Sequence, residues 1–140
     1  MEDSDIVYLA GIVDGEGCIN IVKYHKDNRY RYRLQLRVIN TCKELVDWVE
    51  ERFGGYITSR QRPNLKVVYE WYIADKAAEL LLYDMLDYLI VKRQQAYIAL
   101  DFRATYGRVC YKQGGLSQEV IDMRDAQKDA ISNLNKGIVL

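Results

Sequence analysis

The stretch Leu-Ala-Gly-Ile-Val-Asp-Gly-Glu-Gly at residues 9–17 constrains this chain more than any other. Its spacing predicts a helix over about 5–15, capped by Ser4 or Asp5 and ended by Gly15 and Gly17. Ile6, Val7, Leu9, Ile12 and Val13 cover the whole circumference, so the helix has no side suited to water. It then runs into two carboxylates set among glycines, Asp14-Gly15-Glu16-Gly17. A plain core helix accounts for the apolar residues but leaves the acids unexplained, because a carboxylate is costly to bury without a partner.

The rest of the chain supplies sheets and further helices. Residues 18–26 alternate, and 30–40 alternate more clearly: Tyr32, Leu34, Leu36 and Val38 point one way and Arg31, Arg33, Gln35 and Arg37 the other. Lys-Asp-Asn-Arg between them is turn chemistry, so 18–40 reads as a hairpin. Thr41 is a suitable cap for a helix carrying Leu45, Val46, Trp48, Val49 and Phe53 at helical spacing, stopped by Gly54-Gly55. A second hairpin follows, turning at Arg62-Pro63-Asn64. Its return strand, from Leu65 to Ala74, sets Val67, Tyr69, Trp71 and Ile73 against Lys66, Val68, Glu70 and Tyr72. Asp75 caps a helix over about 76–90, Lys92 opens another to about Tyr106, and Ser117 opens a last one ending before Gly137. The order is α-β-β-α-β-β-α followed by helices: a single α+β domain over 1–140 with a four-stranded antiparallel sheet.

Charge adds a direction. Across 18–40 and 56–72 there are nine Lys and Arg (Lys23, Lys26, Arg29, Arg31, Arg33, Arg37, Arg60, Arg62, Lys66) against two acids, Asp27 and Glu70, a balance of +7. The remainder holds eleven basic and eighteen acidic groups, a balance of −7, so the neutral chain is polarised. Solvated strand faces often carry Lys and Arg. Here, though, the outward run Arg, Arg, Gln, Arg offers the donors that fit guanine and adenine edges. A strand of about nine residues spans about 30 Å at roughly 3.3 Å per residue, close to the ~34 Å of one duplex turn. The outward positions Asn20, Val22, Tyr24, Lys26, Arg31, Arg33, Gln35 and Arg37, with Tyr56, Thr58, Arg60, Arg62, Lys66, Val68, Glu70 and Tyr72, form the expected DNA-binding set. Singly, each could be a mere phosphate contact, which positions without specifying.

Other chemistries find little support. There is no run of about 18 apolar residues and the start is acidic, so neither a membrane span nor a signal peptide is expected. Cys18, Cys42 and Cys110 show no CxxC spacing, and His25 is the sole histidine. A disulfide framework and a zinc site are both disfavoured, and an intracellular, non-secreted protein is expected. His25 reads as surface and Cys18 as a small packed residue.

Residues 9–17 match the LAGLIDADG motif at Leu9, Ala10, Gly11, Asp14 and Gly17, with Ile12 and Val13 conservative. With two basic hairpins following, the chain resembles a single-motif LAGLIDADG homing endonuclease from residue 4 to about 136. The resemblance implies that Glu16, where some members carry Asp, coordinates catalytic divalent metal, with the Gly15 carbonyl as a further ligand. It implies Mg²⁺, for which Mn²⁺ can substitute, in keeping with oxygen-only ligands. Asp14 would support the helix end. Asn40 would orient the attacking water, with a turn or capping role as the alternative. Lys92 would lie near the scissile phosphate, with a solvated helix-start lysine as the alternative; Arg93 could replace it, and Gln94 and Gln95 could reach DNA.

One motif in 140 residues implies that a second comes from another chain, giving a two-fold homodimer. Ala10, Gly11 and Gly15 would let backbones approach closely, and Ile6, Leu9, Ala10, Gly11, Val13 and Asp14 are the expected interface. The implied activity is cutting of both strands of a roughly palindromic double-stranded DNA site, on the order of 20 base pairs, leaving short 3′ overhangs. Two alternatives share the fold: an intron maturase, whose partner would be RNA, and a DNA-binding protein that has lost cleavage. A generic structural dimer is disfavoured by the polarised charge.

Overall fold

The computed structural model describes residues 2–106 and 116–137; Cys110 lies outside them. The elements run α1 (Asp3–Glu16), β1 (Gly17–Lys26), β2 (Arg29–Asn40), α2 (Lys43–Phe53), β3 (Tyr56–Arg60), β4 (Val68–Ala74), α3 (Asp75–Met85) with a 3₁₀ turn at Leu86–Tyr88, α4 (Arg93–Tyr106) and α5 (Gln118–Asn135). The expected α+β order holds. All strands are antiparallel, in the order β1-β2-β4-β3.

The period-2 pattern sets the two layers. Ile19, Ile21, Tyr32, Leu34, Leu36, Val38, Trp71 and Ile73 are buried on one sheet face, and α1 to α4 add Leu9, Val13, Val46, Val49, Leu82, Met85, Ala96 and Phe102 to the same core. Among the described residues, the opposite face carries no helix. Asp27 and Asn28 take φ of 55° and 60°, the backbone a two-residue hairpin turn demands. That turn fixes the register Lys26↔Arg29 through Gly17↔Val38.

Helix and strand meet at Gly17 with no linker. A Cβ there would stand 2.7 Å from the Val13 Cα and 2.9 Å from the Val13 carbonyl oxygen, so only glycine lets β1 start directly under the end of α1.

Several boundaries differ from expectation. The β4 strand begins at Val68 rather than Leu65, leaving Arg62 and Lys66 on the connecting loop. Helix α2 is capped at Cys42, whose N–H is taken by the Asn40 side chain at 2.7 Å, not by Thr41. Asp75 is not a cap: it takes φ of 53° and turns its carboxylate to the Leu34 N–H at 3.2 Å, just beyond the last β2–β4 pair, Gln35↔Ala74. Ser117 does cap α5, accepting from Val120 N at 3.3 Å.

Candidate active site and DNA-reading face

The end of α1 is tied to the start of α4 by a reciprocal pair. The Asp14 carboxylate accepts from the backbone N–H groups of Ile90 (2.8 Å), Val91 (3.1 Å) and Lys92 (3.0 Å). The last carbonyls of a helix lack intrahelical partners, and the Lys92 ammonium donates to those of Val13 (2.9 Å) and Asp14 (2.8 Å). Each charge also suits the helix end it faces, the anion at an N-terminus and the cation at a C-terminus. Asp14 is thereby a structural anchor, and three N–H donors occupy the oxygens a metal would need. Lys92 lies at the site, but its ammonium holds the helix end.

Glu16, the final residue of α1, leaves its carboxylate exposed. Its Oε2 accepts from Asn40 Nδ2 at 2.5 Å, while Asn40 Oδ1 accepts the Cys42 N–H. The amide of Asn40 is therefore fixed at both ends, acceptor toward α2 and donor toward Glu16. The turn alternative for Asn40 is realised in the bond from Cys42, and that bond orients the side chain that meets the acid.

The donor set suits a hard divalent cation. Glu16 supplies an open carboxylate, and the Gly15 carbonyl lies at the same helix end. Among the described residues no three His, Cys, Asp or Glu side chains converge, so one chain brings a single free acid. A Mg²⁺ site is commonly built this way, from one or two carboxylates completed by water and substrate phosphate.

The register places Asn20, Val22, Tyr24, Lys26, Arg29, Arg31, Arg33, Gln35 and Arg37 on the uncovered face, with Arg60↔Val68, Thr58↔Glu70 and Tyr56↔Tyr72 continuing it. The Tyr56 and Tyr72 rings sit 5.5 Å apart there. Arg62 and Lys66 are exposed on the loop beside it. Lys23 does not belong to this basic face. It pairs with Tyr32 on the helix side, and its ammonium meets Asp125 of α5 at 2.9 Å. Tyr32 donates to the same carboxylate at 2.6 Å. Burial pushes the Tyr32 hydroxyl pKa well up, and the Asp125 carboxylate adds to the shift.

Of the two carboxylates on the reading face, sequence reasoning placed Glu70 and missed Asp75. Glu70 accepts from the Arg37 guanidinium at 3.0 Å, and Asp75 takes the Arg33 Nε at 3.4 Å. The alternation of β4 placed Glu70 on the correct face; its diagonal partner needed the register.

Helix α1 also corrects the expected interface. Ile6, Leu9, Ala10 and Val13 are between 0% and 5% exposed inside the chain's own core, because their spacing puts them on the one stripe that faces the sheet. They are not available to a second chain. The open side carries Val7 (47% exposed) and Tyr8 (55%) with Gly11 and Gly15, around whose Cβ positions the described residues place nothing within 4 Å. Ile90 and Val91, 80% and 68% exposed, extend this apolar surface past Asp14.

The family model for LAGLIDADG endonucleases matches residues 9–106. The chain belongs to the LAGLIDADG endonuclease family. Its activity is that of the family, metal-dependent and site-specific cleavage of DNA. Among solved structures it is similar to the homing endonuclease I-CvuI in complex with a DNA target: 23% identity, 94% of this chain and 83% of that one, TM-score 0.75. The archaeal intron-encoded I-Vdi141I complexed with DNA gives 18% identity, 77% and 72% coverage, and 0.65. I-SmaMI bound to uncleaved DNA in the presence of calcium ions gives 15% identity and 0.70, with 90% of this chain lying on 44% of that protein. No curated protein sequence matches significantly. Likeness at these identities establishes the fold, and among the described residues no helix is long and apolar enough to cross a membrane.

Proposed function

We propose that two copies of this chain pack α1 against α1 and cut both strands of one double-stranded DNA site. The observation that carries this reading is the open face of α1, apolar and glycine-lined, ending in a single exposed acid. Gly11 and Gly15 meet no constraint inside their own chain, so a close backbone neighbour is what gives their smallness a purpose. That face would set the two Glu16 carboxylates side by side and supply the second acid. I-SmaMI, which holds this fold in less than half its length, supports a unit of twice this chain.

Within the assembly, Glu16 and the Gly15 carbonyl would hold Mg²⁺ or Mn²⁺ where the scissile phosphate arrives. Such an ion, when bound, supplies a hydroxide-like nucleophile near neutral pH and stabilises the leaving oxygen. Asn40 keeps Glu16 turned toward that phosphate and offers its amide to water. Lys92 fixes the helix end, so the geometry of Gly15 and Glu16 depends on it. The two basic sheets follow the major groove on either side of a dyad, which calls for a roughly palindromic site of about 20 base pairs. The protein would act in whichever cell compartment holds that DNA.

The test joins the sequences flanking the coding element as if it were absent and incubates that duplex with wild type and Glu16→Gln in Mg²⁺. Wild type should cut both strands at the joint, and Glu16→Gln should bind equally but cut about a thousandfold more slowly. Chelation should give the same loss. Binding by both proteins with cutting by neither would sink the nuclease reading and favour the maturase, with RNA of the element as the next substrate.

A further inference from the structure

The cations of the reading face fall into two classes. Arg37 is held by Glu70 at 3.0 Å, Arg33 by Asp75 at 3.4 Å and, more loosely, Arg31 by Asp27 at 4.0 Å. Among the described residues, Lys26, Arg29, Arg60, Arg62 and Lys66 make no ion pair. A carboxylate on a surface that meets DNA repels phosphate; Glu70, only 20% exposed, has one acceptor site taken by the half-buried Arg37, and its remaining sites would weaken binding unless they faced a donor on the DNA. In the major groove that donor is a base amino group.

We infer that Arg37 and Glu70 act as one unit that specifies a G·C pair, an assignment that rests on the DNA-endonuclease reading above. Across its major-groove edge a G·C pair presents guanine N7 and O6, both acceptors, and then the cytosine N4 amino donor. Arg37 supplies two adjacent N–H donors for the guanine, and Glu70, in contact with the same guanidinium, supplies the acceptor for cytosine N4. The order donor, donor, acceptor on the protein matches acceptor, acceptor, donor on the DNA. An A·T pair presents acceptor, donor, acceptor instead, which sets one Arg37 N–H against adenine N6 and the Glu70 carboxylate against thymine O4. The unit therefore rejects A·T as well as accepting G·C.

Its place in the site also follows. Arg37 lies three residues along β2 from Asn40, which touches Glu16, a distance of about 10 Å at roughly 3.3 Å per residue. At about 3.4 Å per base-pair step, the specified pair lies about three steps from the phosphate served by Glu16, once in each half-site.

The experiment selects bound duplexes from a pool with about 24 random base pairs, using full-length wild type and Glu70→Gln, with calcium in place of magnesium. Wild type should enrich sequences with G·C at one inner step of each half, favoured about ten- to a hundredfold over the other pairs. The cut mapped afterwards in Mg²⁺ locates that step. Glu70→Gln should reduce the preference there to a few-fold and leave every other position unchanged. Arg37→Lys should abolish it while keeping the salt dependence of binding. Lys66→Gln should lower affinity for all sequences alike and flatten that salt dependence. Enrichment of another pair at the inner step, or an unchanged preference in Glu70→Gln, would overturn the assignment and leave the nuclease reading intact. Failure of wild type to enrich any sequence would overturn both.

Discussion

The two sides of α1 have nearly the same hydrophobicity and opposite fates. On the inner side Ile6, Leu9, Ala10 and Val13 are sealed against the sheet and α3. On the outer side Val7, Tyr8, Gly11 and Gly15 stand open, although burying such residues would stabilise the protein by about 1.5–3 kcal/mol for a side chain the size of Val. An inner face follows from folding one chain. An outer face of this kind has a use only if something of matching shape covers it, so it belongs to assembly. The difference teaches that a core residue and an interface residue can share a helix turn, and be separated only by which stripe of the helix faces the sheet.

Substitution should separate the two sides, and the largest effect is expected on the outer one. Gly11→Glu places a charged side chain where the structure has open space, so the single chain loses nothing. Replacing a helical glycine should even stabilise it by about 0.5–1 kcal/mol. A second copy approaching the same spot would meet two like charges. Sedimentation should therefore show a folded monomer whose melting temperature, unlike that of the wild type, does not rise with protein concentration, and double-strand cutting should fall by at least about a hundredfold. A Gly11→Glu protein that remains dimeric and active would remove the outer face from the assembly.

The inner side should show the reverse pattern. Leu9 is fully buried, and Leu9→Ala should cost about 3 kcal/mol through lost transfer energy and the cavity left behind. For a chain of this size that lowers the melting temperature by about 10 °C. Whatever fraction stays folded at 20 °C should still dimerise and cut normally. If Leu9→Ala instead lowered dimer affinity at constant stability, the inner and outer labels would have to be exchanged.

Much of this was legible in the sequence, and the failures share a cause. The strict alternation of 31–38 fixed both sheet faces because that signal is local, and the resemblance singled out Glu16 and Asn40, 24 residues apart, which the fold brings into contact. Which stripe of α1 faces inward was not legible: with apolar residues all round, periodicity gives no side, and the assignment of Ile6, Leu9, Ala10 and Val13 to the interface failed for that reason. Lys23 was counted with the basic face although its parity matches Ile19 and Ile21. Its acid, Asp125, lies 102 residues away, beyond the reach of any strand pattern. Asp75 looked like a cap because helix caps are commonly Asp, yet the end of the β2–β4 ladder claimed its side chain.

The smallest predicted effect is that of acid, which should act on the inner packing alone. The Arg103 guanidinium, 2.9 Å from Glu79 between α4 and α3, holds the Glu79 carboxyl below its ordinary value. Asp125 follows: burial pulls its carboxyl up, but the hydrogen bonds from Tyr32 and Lys23 outweigh that and leave it lowered. A carboxylate whose pKa is depressed on folding stabilises the native state fully above its unfolded value, about 4.5 for Glu and 3.8 for Asp. That stability is lost as pH falls through the folded value. Urea midpoints should therefore be level from pH 7 to about 5.5 and decline below about 4.5, and Glu79→Gln should make the decline shallower. Val7, Tyr8, Gly11 and Gly15 bring no carboxylate and the two Glu16 acids at the end of that face are like charges, so the dimer of the protein still folded at pH 4.5 should be no weaker than at pH 7. A midpoint that falls as steeply in Glu79→Gln, or a dimer that dissociates before the fold yields, would show that acid acts first on the outer face.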